Sequence, residues 1–321
     1  VAARRERESR ESLLWLRGTD DLPSRRQIVD VGDRGADTFE FLEHEVNSGR
    51  TFVIRSNYDR MIQRGHSGEE GETLSLWEYI RTLPSLGKCQ VSVRIQAEQR
   101  AKSKTELPTS RVAKLQMSAA PIRLLAPHVH RGWHGNDPLA VWMVRIWEPQ
   151  PPAGCEALEW LLFTNHPCST ARDVRQVKVW YEWRWIIEEL HKAQKTGCAI
   201  EELQFRDEER LQPAIAILSV VALTLLQLRD AARDPTADTR RADEIVDAEA
   251  ILVLSQWAEG TPCPNWSAYE YALALAKLGG YRRRNKCPPG WIVLWRGHTK
   301  LEAMLEGVRA YKKMQHKCAL R

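Results

Sequence analysis

The stretch from Trp180 to Lys195, reading Trp-Tyr-Glu-Trp-Arg-Trp-Ile-Ile-Glu-Glu-Leu-His-Lys-Ala-Gln-Lys, constrains this chain most. As a helix its two faces want opposite surroundings. At roughly 100° per residue, Tyr181, Arg184, Glu188, Lys192 and Lys195 fall within an arc of about 80°. Trp183, Ile186, Ile187, Leu190 and Ala193 point the other way, so one face is expected to be buried and the other to carry chemistry. Trp185 projects about 40° from Tyr181, among the charges, where it has no core to enter. A carboxylate set among cations and a phenol suits a phosphodiester: Glu188 can hold a divalent metal while Arg184, Lys192 and Lys195 neutralise phosphates. The same spacing also suits a solvated helix face, in which Arg184, Glu188 and Lys192, at i,i+4 steps, add only about 0.2 to 0.5 kcal/mol per pair.

A chain of 321 residues, 43% of them hydrophobic, has room for two or three domains with a proper core. Its 47 Lys and Arg stand against 42 Asp and Glu, and the net charge of +5 permits nucleic-acid binding without demanding it. The cysteines form no closely spaced pair and are odd in number, which argues for reduced thiols in a cytoplasmic protein. No leader-like segment opens the chain. The longest apolar run, Ala214 to Leu226, contains Ser219 and Thr224 and falls short of the ~20 residues needed to span a bilayer. It is expected to be a buried helix, with no membrane association.

Residues 1–26, rich in Arg and Glu, form a solvated lead-in. Gln27 to Gly32 then reads as a buried strand, Ala36 to Asn47 as a helix and Thr51 to Arg55 as a second strand, so 27–56 begins an α/β core. Asp33 lies at the C-terminal end of the first strand, where open α/β sheets commonly place active residues. From 57 to 156 short alternating segments such as Gln90 to Ile95 and Leu139 to Trp147 indicate a β-rich insertion. The core resumes over 157–233 with a strand at Leu158 to Thr164 and the two-faced helix. After the stop at Thr196-Gly197 the pattern is helical, and 234–321 reads as an all-α domain.

Several other clusters bear weighing. His128, His130 and His134 are close enough to suggest zinc, but only Asp137 lies near to extend the set, and an exposed polar loop is the better account of them. Arg100, Lys102 and Lys104, with Arg111 and Lys114 following, either track a nucleic-acid backbone or form a solvated loop. Asp37 is read as helping the N-terminal turn of the next helix. Gly279-Gly280 reads as a helix stop before an exposed basic loop.

The order Tyr181, Arg184, Glu188, Lys195, at steps of three, four and seven, resembles the Tyr-Arg-Glu-Lys signature of the insertion-sequence-four family of bacterial DDE transposases. Val29 to Asp37 resembles the segment carrying that family's second catalytic aspartate, here Asp33. Glu159 to Asn165 resembles the strand before the signature helix, and its Trp160 sits where the family places a tryptophan engaged with a flipped DNA base. Leu218 to Arg229 and Ala276 to Gly280 resemble the C-terminal dimerisation region. The likeness covers nearly the whole chain and is weakest from Asn57 to Pro152.

The resemblance implies an RNase H-like catalytic core with a β-rich insertion, followed by an all-α C-terminal dimerisation domain. It implies carboxylates holding two Mg²⁺ or Mn²⁺ ions, with Asp33 and Glu188 as second and third ligands. Tyr181, Arg184, Lys192, Lys195, Trp160 and Trp185 would lie against DNA. The partners would be transposon-end and target DNA and a second transposase chain, giving a homodimer or heterodimer through the C-terminal helices, in a cytoplasmic protein associated with the nucleoid when bound. The family's first ligand lies on an earlier strand, and the 32 residues before Asp33 hold no matching segment. Asp20 and Asp21 sit in a polar stretch and Asp30 is expected to face the opposite side of the sheet. The expectation is therefore an N-terminally truncated transposase, lacking the first carboxylate and the DNA-end-recognition domain and inactive alone. The alternatives are a non-catalytic chain that inhibits intact transposase by forming heterodimers, and an RNase H-like nuclease of different purpose.

Overall fold

Alternating apolar and polar residues in the first half of the chain resolve into eight strands of one sheet. In this computed structural model, residues 11–20, 28–65, 72–94, 110–128, 134–233, 240–282 and 288–319 are described. The chain divides into two units, Val1–Arg184 and Trp185–Arg321.

The strands of the first unit are β1 (Val29–Gly32), β2 (Thr51–Arg55), β3 (Met61–Arg64), β4 (Leu74–Ser75), β5 (Gly87–Arg94), β6 (Ser110–Leu124), β7 (Leu139–Trp147) and β8 (Glu159–Thr164). They run in the order β1-β2-β8-β7-β6-β3-β4, with β5 added on β6. The β1–β2 pair is parallel, and the others are antiparallel. A parallel pair needs a crossover, which α2 (Phe39–Ser48) supplies. The other helices of this unit are α1 (Glu11–Asp20), α3 (Leu76–Thr82) and α4 (Ala171–Trp183). Thr170 and Asp173 close a capping box at the start of α4.

Period-two alternation gives the sheet two apolar faces. Phe52, Ile54, Ile122, Met143 and Phe163 pack with Phe41 and Leu42 of α2 and Leu76 and Ile80 of α3. Val53, Leu115, Met117, Val144 and Leu162 pack with Val174, Val177 and Tyr181 of α4. The strands of the 57–156 region thus extend the sheet begun by β1, β2 and β8. The helix α3 and the fifteen-residue strand β6 are not among the expected elements.

Asp37 does not serve the helix that follows. A 3-10 turn at Arg34–Ala36 delays that helix by three residues, and Thr38 caps it, accepting from the Phe41 N–H at 3.2 Å. Asp37 is fully buried instead, where its carboxylate accepts from Arg60 Nη2 at 2.7 Å and from the Asn57 N–H at 2.6 Å.

The second unit contains α5 (Trp185–Lys192), a π-turn (Ala193–Gly197), α6 (Glu208–Ala231), α7 (Ala248–Glu259), α8 (Ala268–Leu278) and α9 (Trp291–Ala319). Leu225, Leu226, Leu254, Tyr271, Leu275, Leu294 and Leu301 form its core. Helices α8 and α9 approach at backbone contact: a Cβ on Gly279 would lie 1.8 Å from the Val293 carbonyl oxygen, and one on Gly297 2.0 Å from that of Leu275. Gly280, at φ +94°, makes the turn expected there.

Helix α6 is not the buried helix expected from its apolar run. Ala222, Leu225, Leu226 and Leu228 enter the core, but Ile217 and Val220 are each 65% exposed and Leu223 46%. By length and composition, Glu209–Ala231 is long and apolar enough to cross a membrane. The expectation failed because the apolar residues run all round the helix, whereas its own unit covers one side.

Candidate functional site

Asp33 follows β1 directly, where the chain leaves the sheet. Its exposed carboxylate caps the 3-10 turn, Oδ1 accepting from the Gly35 N–H at 2.8 Å. The next residue, Arg34, lines a cleft of about 350 Å³ together with Arg55, Arg111, Glu156 and Glu159. Arg55, at the C-terminal end of β2, donates through Nη2 to the Glu159 carbonyl oxygen at 3.1 Å. The Glu159 carboxylate lies between two guanidiniums, 2.7 Å from Arg81 Nη2 and 2.8 Å from Arg145 Nε. Burial raises its pKa, but the hydrogen bonds from Arg81 and Arg145 outweigh this and hold it below the ordinary carboxylate range. Arg111 is bound to the buried Glu148, one arm at 2.8 Å, and that bond above all holds Glu148 below its ordinary value. Arg111 is therefore committed to a structural pair and is not a free cation tracking a backbone.

Asp30 is likewise committed. Its Oδ2 accepts from Arg50 Nε at 2.8 Å. Arg50 also lies 3.5 Å from Glu45, which is fully buried with neither carboxylate oxygen hydrogen-bonded. Asp20 is 3.5 Å from His44. Asp21 and His130 lie outside the described residues, as do Arg100, Lys102 and Lys104. His134 packs against Phe39 and meets the Gly135 carbonyl oxygen. Among the described residues no three His, Cys, Asp or Glu side chains are grouped to hold a metal ion.

The two-faced helix is not one continuous α-helix. Helix α4 ends at Trp183, Arg184 caps it at φ −50° and ψ −33°, and α5 runs from Trp185 to Lys192 before the backbone widens into the π-turn. A single helical wheel therefore does not hold across the sixteen residues. Tyr181 and Arg184 belong to the first unit, whereas Trp185, Glu188, Lys192 and Lys195 belong to the second.

Tyr181 is 5% exposed rather than presented to solvent, with its ring edge-on to Trp160 at 5.2 Å between centroids. The face expected to be buried is mostly open: Trp183 is 59% exposed, Ile186 53% and Ile187 44%. Leu190 and Ala193 alone of that face join the core of the second unit. Trp185 is exposed as expected, at 59%. Glu188 and Lys192 are exposed and one turn apart on α5, and Lys195 pairs with Glu201 at 2.7 Å. Glu189 anchors α5 by pairing with Arg229, whose guanidinium stacks over Trp291 at 4.4 Å.

Sequence reasoning missed Arg34 and Arg55. Arg34 was signalled by its place next to Asp33, whereas Arg55 comes to the same C-terminal edge only through the β1–β2 pairing.

No model of a known protein family matches this chain.

Proposed function

We propose that this chain belongs to a cut-and-paste DDE transposase of the insertion-sequence-four family, acting in transposon-end nicking, hairpin formation and strand transfer, and is inactive without a third carboxylate ligand. The first unit is read as an RNase H-like core with its β-rich insertion, and the C-terminal helices as the dimerisation region. The observation that carries the reading is Asp33: an exposed carboxylate at the C-terminal end of β1, beside a cleft lined by Arg34 and Arg55, in a chain that also bears the spaced Tyr181, Arg184, Glu188 and Lys195. Guanidiniums beside a carboxylate suit a phosphodiester, because they bind phosphate oxygens bidentately, and Glu156 and Glu159 line the same cleft.

The family's carboxylates hold two Mg²⁺ or Mn²⁺ ions, which supply Lewis acidity when bound. The described residues do not fit that group by themselves, since no three His, Cys, Asp or Glu side chains are grouped among them, and Asp33 and Glu188 belong to different units. What the chain's own residues do is bind and orient DNA: Arg184, Lys192 and Lys195 neutralise phosphates, while Trp160 and Trp185 offer rings to an unstacked base.

The test is end cleavage. The chain as it stands should leave transposon-end DNA intact with either metal. Fusion to a family segment bearing the first aspartate should restore nicking, and Asp33→Ala or Glu188→Ala in the fusion should abolish it. Robust cleavage by the unfused chain would overturn the reading.

The second reading is a non-catalytic chain that inhibits intact transposase by forming heterodimers. It is favoured by an apolar groove of about 410 Å³ on the second unit, lined by Leu252, Val253, Trp257, Pro262, Met304 and Val308. Co-expression with intact transposase should then lower transposition without any cleavage by this chain.

A further inference from the structure

Strands β5 and β6 form a ribbon with one covered face and one open face. Cys89, Val91 and Val93 of β5, with Ala113, Leu115 and Met117 of β6, pack into the apolar cluster that contains α4. Alternation sends their neighbours to the other side. There Lys88 pairs across the ladder with Gln116, and Gln90 with Lys114. The four make a square plaque in which lysine and glutamine occupy opposite corners. Lys88, Gln90 and Lys114 are exposed, and Gln116 is half-buried.

The plaque lies in a groove of about 620 Å³ that Pro149 and Gln150 complete. Among the described residues no acidic side chain lines it and neither lysine makes an ion pair. The nearest carboxylate in sequence, Glu148, is buried and bound to Arg111. An exposed sheet face ordinarily interleaves both signs of charge. The square itself offers cations and amides, which are groups that bind phosphate oxygens, and Ser92 and the exposed Val112 continue the same face.

We propose that the open face of the β5–β6 ribbon is a phosphate-backbone subsite for duplex DNA, with Lys88 and Lys114 as its charged contacts and Gln90 and Gln116 as neutral hydrogen-bonding partners. It rests on the DNA-acting reading above. Diagonal partners on an antiparallel ladder lie about 7–8 Å apart, a separation that two flexible lysine stems adjust to neighbouring phosphates of one strand. Ammonium groups act as point charges, so the subsite holds the duplex without reading its sequence.

The test is the salt dependence of binding, followed by fluorescence anisotropy with a labelled mixed-sequence duplex and the full chain. Each phosphate contact contributes about 0.9 to the slope of log affinity against log salt, so Lys88→Gln/Lys114→Gln should lower that slope by about 1.8. Lys88→Arg/Lys114→Arg should keep the original slope, with circular dichroism unchanged in both. A glutamine variant that binds with the original slope overturns the subsite while leaving the DNA reading intact. Absence of salt-dependent binding by the unaltered chain overturns both.

Discussion

The Tyr181 ring meets the Trp160 ring edge to face, with centroids 5.2 Å apart and planes at 65°. Tyr181 is nearly fully buried in the apolar layer between α4 and the sheet, so Trp160 is a packing partner on one side. Trp185 has no such partner among the described residues and is 59% exposed. The two tryptophans should therefore separate in stability. Trp160→Ala removes an aromatic pair worth about 0.5–1.5 kcal/mol beyond its buried area, and should lower the thermal midpoint measurably. Trp185→Ala should change stability by no more than about 0.5 kcal/mol. In the complemented enzyme both should slow hairpin formation more than nicking, because base stacking on an aromatic is worth about 1–3 kcal/mol. Equal slowing of the two steps by Trp160→Ala would assign that ring to packing alone.

Glu45 sets a pH dependence for the first unit. Burial, then the neighbouring Asp30 carboxylate, push its pKa from 4.5 to about 8 despite the opposing pull of Arg50. The folded state thus keeps a proton that the unfolded chain releases. Stability from this group is fully present below about pH 4.5 and is lost as pH rises towards about 8. Glu45→Gln keeps the shape and removes the titration. Urea midpoints for the unaltered protein should fall through that window relative to the variant, and parallel curves for the two proteins would show that Glu45 ionises normally.

What could be read from sequence tracks how local the determining physics is. The strand Thr51–Arg55, a short apolar run, and the alternating strand Leu139–Trp147 fall where their patterns put them, because each pattern is completed within the element. The exposure of Trp185 follows in the same way from one turn of helix. Tyr181 was misplaced because its surroundings come from Trp160, a residue of β8, while the wheel used to place it crosses a break at Arg184 and a π-turn at Ala193. Arg111 looked like a mobile cation because its partner, Glu148, is remote in sequence, just past the end of β7. At Asp33 the edge of the candidate cleft was legible, because the residue's place depends on one strand end. It was not legible at Arg55, whose nearness to Asp33 comes from the β1–β2 pairing.

The apolar groove on the second unit makes a further prediction about association. Leu252 and Trp257 on α7 are 38% and 45% exposed, and Met304 and Val308 of α9 face the same groove. Glu249 lines it, bridging Arg309 at 2.9 Å and Lys312 at 2.8 Å, which ties α7 to α9. A groove of this kind with a charged rim is the anatomy of a subunit contact. Deleting 236–321 is a poor test of it, since Leu225, Leu226 and Leu228 of α6 would lose the core they pack into and the remnant should aggregate. Leu252→Glu and Trp257→Glu are the better variants, because both side chains are already partly in water and the fold loses little. Sedimentation equilibrium should show weaker self-association for each, with the thermal midpoint of the isolated chain nearly unchanged. Association equal to that of the unaltered chain would move the contact elsewhere, to the exposed Ile217 and Val220 of α6 in the first instance.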